Sequence, residues 1–403
     1  MIIYILTLCS FAVATTEFVL VGVLGQVATA LHVSVPQAGL LVTAYMVVGS
    51  VGGPVATVLT RRVPRRALLM ATMGLALVSA VASAVAPSYP ALMGARMGSA
   101  LAQALFMAVA SQVAMAAVAP ERRTAAVARV FNGFAVATVV GLPLGTLVGE
   151  AYGWRATFVA VAVLTSLGLA GVVLLCPPIP AGPAEPLSAS IGPVLRRRPV
   201  AGLLVTMLTL TGFVAVFTYV EPTLRDVAGL SPAWVTVALL VYGAGTIVGN
   251  LVAGRVRPTA ITSVLPVAVG VLAIVLAAQV LSVRAAVTAV AGVFLLGGAA
   301  FLVVPLVQTW LMGEVGDAAA GLAASANISA AGVAGAVGAA LGGAVIAGPG
   351  AAWIGPVAAL PVAAAAGVAA LLGPVGGRFG ARRPARQDWR TCSKTPCPTP
   401  SQG

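Results

Sequence analysis

Twelve apolar stretches, each about long enough to cross a hydrocarbon core of about 30 Å, run from Ile2 to Gly373 of this 403-residue chain. Each such crossing takes about 20 apolar residues, and lipid offers the backbone no hydrogen-bond partners. The chain is thereby confined to helices that satisfy their own N–H and C=O groups. Composition agrees: 60% of residues are hydrophobic and 8% charged, where a soluble domain carries about a quarter charged. The spans are expected at roughly 2–24, 39–59, 67–86, 91–118, 125–149, 156–176, 200–219, 234–254, 261–281, 285–312, 318–347 and 352–373.

A net charge of +13 would suggest a nucleic-acid partner in a soluble protein, but here the placement of the cations decides. With the N-terminus inside, 18 cations fall in inner segments, among them Arg61, Arg62, Arg65, Arg66, Arg122, Arg123, Arg196, Arg197 and Arg198. Arg155, Arg225 and Arg284 fall outside, and Arg96 completes the 22. Inner loops of membrane proteins collect Arg and Lys, so this bias places both termini in the cytoplasm and argues against nucleic-acid binding. One Lys among these cations, with abundant Ala, Val and Gly, suggests a high-GC genome and a bacterial inner membrane. The first stretch lacks a basic leader segment and continues past Glu17, so it reads as a span and not as a cleaved signal peptide.

Enzyme chemistry finds little to work with. His32 is the single histidine, Cys9 and Cys176 lie in or at the ends of spans, and Cys392 and Cys397 lack an accompanying His. Neither a metal site nor a His-based triad is expected, and no cofactor is implied. A Gly-x4-Gly-Lys-Ser/Thr loop for ATP is absent from the sequence.

The segment 177–199, "PPIPAGPAEPLSASIGPVLRRRP", divides the chain into two nearly equal parts. Its Pro, Gly and Ser content reads as a cytoplasmic linker. The expected fold is an all-α polytopic membrane protein with twelve transmembrane helices in two six-helix bundles, 1–176 and 200–373, followed by a cytoplasmic, disordered tail at 374–403.

Four motifs carry a family resemblance. After the second span comes "GGPVATVLTRRVPRRALL", with Gly53 near its start and Arg62, Arg65 and Arg66 near its end, and a weaker echo, "GNLVAGRVRPTA", follows the eighth. The fourth span carries "ALMGARMGSALAQAL" around Arg96. The fifth carries "NGFAVATVVGLPLGTLVGEAYGWRATF", with Gly141, Pro143 and Gly145. The first reads "ATTEFVLVGVLGQVATAL". Together these resemble the major facilitator superfamily, and within it the twelve-span drug:proton antiporters of the chloramphenicol-resistance and arabinose-efflux permease type. Arg61 stands where the family's loop motif has Asp, Pro64 where it has Gly, and Leu142 separates the Gly and Pro of the fifth-span motif. The resemblance implies the major facilitator fold, a monomer, protons and a small molecule as partners within the lipid bilayer, and gating roles for Gly53, Arg62, Arg65, Arg66, Gly141, Pro143 and Gly145. Pro143 removes a backbone donor, which bends a helix and suits a hinge.

Glu17 and Arg96 are the two charges expected deep in the spans. An acid at the centre of a membrane helix costs roughly 2.5 to 3.5 kcal/mol, so it calls for a role or a partner. Glu17 is the expected proton carrier and Arg96 its modulator; a purely structural tether, or an Arg96 that snorkels to the interface, is the competing reading. Gln103, Asn132, Asn250, Gln308, Asn327 and Tyr45 are candidate linings of the substrate path, each amide being equally able to hydrogen-bond a neighbouring helix. A sparse and mostly neutral lining favours uncharged or lipophilic compounds. The expected activity is proton-coupled export of such a compound, an antibiotic such as chloramphenicol, with a sugar, nucleoside or native secondary metabolite as the alternative. Glu221, Arg225 and Asp226 follow the seventh span and are expected to face outward and pair among themselves.

Overall fold

The computed structural model describes residues 2–52, 55, 59–60, 62–119, 123–177, 194–315 and 320–372. Twelve of its helices are long and apolar enough to cross a membrane: α1 (Ile2–Gly22), α2 (Val35–Gly52), α3 (Arg65–Ala84), α4 (Tyr89–Ala116), α5 (Arg129–Tyr152), α6 (Trp154–Leu175), α7 (Arg197–Thr218), α8 (Pro232–Arg255), α9 (Ile261–Ser282), α10 (Ala286–Val315), α11 (Ala326–Ala347) and α12 (Ala351–Leu371). All regular structure among the described residues is helical. Gly53, most of the expected linker and the whole tail lie outside the described residues. We call the membrane face at which α1 begins the near face and the opposite one the far face.

Helix α2 starts at Val35, earlier than its hydropathy suggests, because its first turn is capped. The Ser34 hydroxyl accepts from the Gln37 N–H, the Gln37 side chain accepts from the Ser34 N–H, and Pro36 occupies the first turn. This reciprocal cap satisfies two donors that the helix itself cannot. Ser34→Ala is expected to cost about 1 kcal/mol, read as a lower unfolding midpoint of the purified protein in detergent; an unchanged midpoint would show that packing alone holds this end.

Helix α5 departs from regular α-helix just before its proline. Ala137–Gly141 widens into a π-helical turn just before Pro143, whose ring nitrogen cannot donate to the preceding turn. The glycines of this helix have a packing role. A Cβ on Gly141 would meet Thr15 Oγ1 at 2.7 Å, and Cβ atoms on Gly133, Gly145 and Gly149 would run into Thr7 and Val19 of α1 and Val23 just beyond it. Helices α1 and α5 therefore lie backbone to backbone, an approach that small residues alone permit.

The same device closes the seam between the halves. Helix α2 meets α11, where Gly335 faces Met46 and Gly332 faces Ser50. Helix α5 meets α8, where a Cβ on Gly243 would stand 2.9 Å from the Val139 carbonyl oxygen. Toward the far face Tyr219 completes the closure: its hydroxyl donates to the Ala339 carbonyl at 2.9 Å and fills the space left by Gly39, Gly342 and Gly343.

Candidate functional site

Glu17 sits within α1, five residues before its end at Gly22, half-buried, in a helix whose hydroxyls are spent on its own backbone. Thr15 and Thr16 donate to the carbonyls of Phe11 and Ala12. That removes competing local donors and leaves the carboxylate to partners on other helices. Those partners come from α4 and α2. Gln103 Nε2 donates to Glu17 Oε2 at 2.6 Å, and the Tyr45 hydroxyl donates to Gln103 Oε1, also at 2.6 Å. Residues seven apart share a helix face, so Arg96 and Gln103 both project from α4 toward α1 and α2.

Arg96 is 1% exposed, and it reaches this cluster by a different route. Its guanidinium carbon lies 4.3 Å from the centre of the Tyr45 ring, and Nη1 donates to the Thr16 carbonyl. A desolvated cation over an aromatic face is worth about 2 kcal/mol, which together with the Thr16 hydrogen bond offsets much of the cost of holding the charge in the interior. Glu17 and Arg96 do not form a direct ion pair; Tyr45 and Gln103 stand between them. The direct tether is thus replaced by a relay in which a carboxylate, an amide, a phenol and a guanidinium touch in turn. Arg96 does not snorkel to an interface. Its Nε is buried without a hydrogen-bond partner, so the cluster has one donor to spare.

Beside Glu17, Phe18 opens a group of rings that crosses the seam. Its ring lies 5.4 Å from Phe134 of α5 and 6.2 Å from Phe217 of α7, both edge-on. Phe217 continues to Phe213 at 5.4 Å and to Tyr242 of α8 at 5.3 Å, and Phe213 reaches Phe301 of α10 at 6.5 Å. The Tyr242 hydroxyl is buried without a partner. Phe106, by contrast, packs among Cys9, Val13 and Met73 inside the first half. Phe18 and Phe134 carry no sequence signal that separates them from lipid-facing aromatics; their roles arise from which helices meet.

The amides divide. Thr206 donates to Asn327 Oδ1 at 2.6 Å, and Asn327 Nδ2 donates to Gln308, so these two candidates bridge α7, α11 and α10. Asn132 and Asn250 are exposed. Each stands seven residues to the near-face side of a seam contact, Asn132 from Val139 and Asn250 from Gly243. At that spacing they share the faces by which α5 and α8 meet.

The Major Facilitator Superfamily model matches residues 6–339. The chain belongs to the major facilitator superfamily. It is 32% identical over 353 residues to the uncharacterized MFS-type transporter YfhI of Bacillus subtilis, covering 87% of this chain and 88% of that one. It is 33% identical over 341 residues to the inner membrane transport protein YdhP of Escherichia coli K12, covering 85% and 87%. A chloramphenicol resistance protein of Streptomyces lividans is 37% identical over 276 residues, covering 66% and 69%. Among solved structures, a bacterial homolog of the human lysosomal transporter Spinster superposes with a TM-score of 0.74 at 15% identity, covering 92% of this chain and 96% of that one. A D-xylose–proton symporter does so with a TM-score of 0.74 at 15% identity, covering 91% and 96%. This major facilitator protein is accordingly a multi-pass membrane transporter of small molecules and not an enzyme.

Elsewhere in the transporter, Arg62 is exposed and Arg65 half-buried, while Arg66 Nη2 donates to the Val173 carbonyl of α6 at 2.8 Å. Arg66 therefore ties the start of α3 to α6 within its own half. One expectation is corrected at the far face. Glu221 does not point outward in a loop: it is 1% exposed and accepts from the Gly25 N–H, in the opposite half, at 3.0 Å. The expectation failed because helical structure continues past α7 through Val220–Pro222 and Thr223–Val227, which carries the acid into the seam.

Proposed function

We propose that this transporter is a proton-coupled exporter of small, uncharged or lipophilic compounds, an antibiotic of the chloramphenicol type among them, in a bacterial inner membrane with the near face cytoplasmic. The observation that carries this reading is the Glu17 carboxylate, held within the first span by Gln103 with Tyr45 and Arg96 behind it. An acid so placed can hold or release a proton and is costly for any merely structural purpose. The rings of Phe18, Phe217, Tyr242 and Phe301 beside it offer apolar surface to a cargo, and the unpartnered Tyr242 hydroxyl one donor. The resistance protein of Streptomyces supports the choice of cargo, and the arginine bias supports the orientation.

In the cycle, proton and cargo occupy the Glu17 region in alternation. Protonation from the far side neutralises the acid; cargo entering from the cytoplasm favours its release. The halves 1–176 and 200–373 rock about the seam as monomeric bundles. The π-turn at Gly141 and Pro143, with Gly145, supplies the hinge, and the loop bearing Gly53, Arg62, Arg65 and Arg66 supplies the cytoplasmic gate. Asn132 and Asn250 line the cytoplasmic approach to the cargo.

Expression in a drug-sensitive bacterium tests the cargo. Chloramphenicol tolerance is expected to rise and to fall back when an uncoupler collapses the proton gradient. Tolerance that survives the uncoupler would remove proton coupling. No tolerance to any neutral antibiotic, together with transport of a sugar or nucleoside, would replace the cargo.

A further inference from the structure

The far-face seam holds a carboxyl group that this cycle does not use. Glu221 lies in the turn Val220–Pro222, beyond the end of α7, and its Oε2 accepts from the Gly25 N–H across the two halves at 3.0 Å. The approach is close: a Cβ on Gly25 would stand 3.0 Å from Oε2 and 3.2 Å from Oε1. Arg225 Nη1 lies 3.7 Å from Glu221 Oε1 and 3.9 Å from Glu150 Oε1 of α5, so one cation serves two acids. Glu150 also accepts from Gln26 Nε2 at 3.0 Å.

The charged groups around Glu221 are Arg225 and Asp226 on its own segment and Glu150 on α5. The turn Leu24–Ala30 adds the Gly25 N–H and the Gln26 amide, neither of them charged. A single cation against three carboxylates leaves the cluster short of positive charge. Arg225 is also 42% exposed, so solvent screens it. Burial pushes the Glu221 carboxyl up to about 7; the Gly25 N–H and Arg225 pull it down, and Asp226 and Glu150 push it up again.

We propose that Glu221 is a second proton-binding site, which takes up a proton as the far-face seam closes over it and returns it as the seam opens, so that acid on that face favours the closed seam. The site does not depend on Glu17 or on the identity of the cargo. The Gly25 contact survives protonation, because Oε2 accepts whether or not Oε1 carries a proton. With the seam open the carboxyl meets water and returns toward its ordinary value of 4.5. A group whose value is raised in the closed state binds its proton there more tightly. The ratio of closed to open therefore rises by up to about tenfold for each unit the pH falls between about 7 and 4.5, and is level above and below that window.

Distances between spin labels on the two halves test this. The full chain, with Cys9, Cys176, Cys392 and Cys397 replaced, carries labels at Tyr152→Cys and Val287→Cys, which are 80% and 82% exposed at the far ends of α5 and α10. In lipid nanodiscs, the short-distance population is expected to grow as the pH falls from about 8.5 to about 5. Glu221→Gln should make that population high and flat with pH. Arg225→Gln keeps the carboxyl and removes its cation, so the response should move to higher pH, and it reports even where Glu221→Gln folds poorly. Glu17→Gln should leave the response in place. A distance that ignores pH, a response that persists in Glu221→Gln, an unmoved response in Arg225→Gln, or one lost in Glu17→Gln would each overturn the site. The Glu17→Gln outcome also separates this proposal from the function proposed above, since that function fails on export and not on far-face distance.

Discussion

Glu17→Gln is expected to abolish proton-driven export while leaving the protein folded in the membrane. The replacement keeps the shape, and its side-chain carbonyl still accepts from Gln103 Nε2, so no cavity is created and Gln103 keeps its partner. What it removes is the titration. Among the described residues the other acids, Glu150, Glu221, Asp226 and Glu314, lie within two residues of a span's end or beyond it, so none stands as deep in a span to take over. Uptake of chloramphenicol into inverted vesicles energised by a proton gradient should fall by at least about tenfold, the usual contribution of a positioned acid or base being about 100-fold or more. Downhill efflux of preloaded drug should persist, because the path itself is intact. Glu17→Asp keeps the charge but draws it back from Gln103, and should retain part of the activity. Gradient-driven uptake at the wild-type rate in Glu17→Gln would end the proposal that this residue couples proton to cargo.

Gly145→Leu is expected to damage the fold severely. The glycine faces the Val19 side chain, and the Val19 Cα lies 3.6 Å from where a Cβ would stand, so a branched side chain cannot enter without parting α1 from α5. Overpacking of this kind costs about 1 to 3 kcal/mol in soluble cores. Here the displaced helix also carries Glu17, so transport should be lost along with stability. Gly74 provides the control, since nothing lies within 4 Å of its notional Cβ. Thermal unfolding of the two purified variants, read by loss of the monodisperse peak after heating, should separate them clearly. Equal behaviour of Gly145→Leu and Gly74→Leu would show that α1 and α5 tolerate separation.

Much of the architecture was legible because lipid enforces it. Hydropathy located all twelve spans, with boundary errors where local chemistry took over: Ser34 and Gln37 start α2 early, and helical turns carry the chain beyond α7. Pro143 announced a bend, and the structure places a π-turn just before it. The glycines of α5 were legible as a thin face, but their partners on α1 were not, since nothing local in a chain records which helix will lie alongside. Gln308 and Asn327 show the same limit, as two amides 19 residues apart satisfy each other across helices.

For the site the division is sharper. Sequence by itself determined that this is a polytopic helical membrane protein with one acid and one arginine deep in its first half, because the cost of burying charge in lipid makes such residues conspicuous in any apolar run. Only the tertiary structure decided that the two do not pair directly but meet through Gln103 and Tyr45. It alone brought Phe18 against Phe217 across the seam and turned Glu221 inward onto Gly25. The reason is physical: hydropathy reports each residue's exchange with solvent or lipid, whereas a hydrogen bond or a shared cation depends on which helices approach closely, and that is settled by packing across the whole bundle.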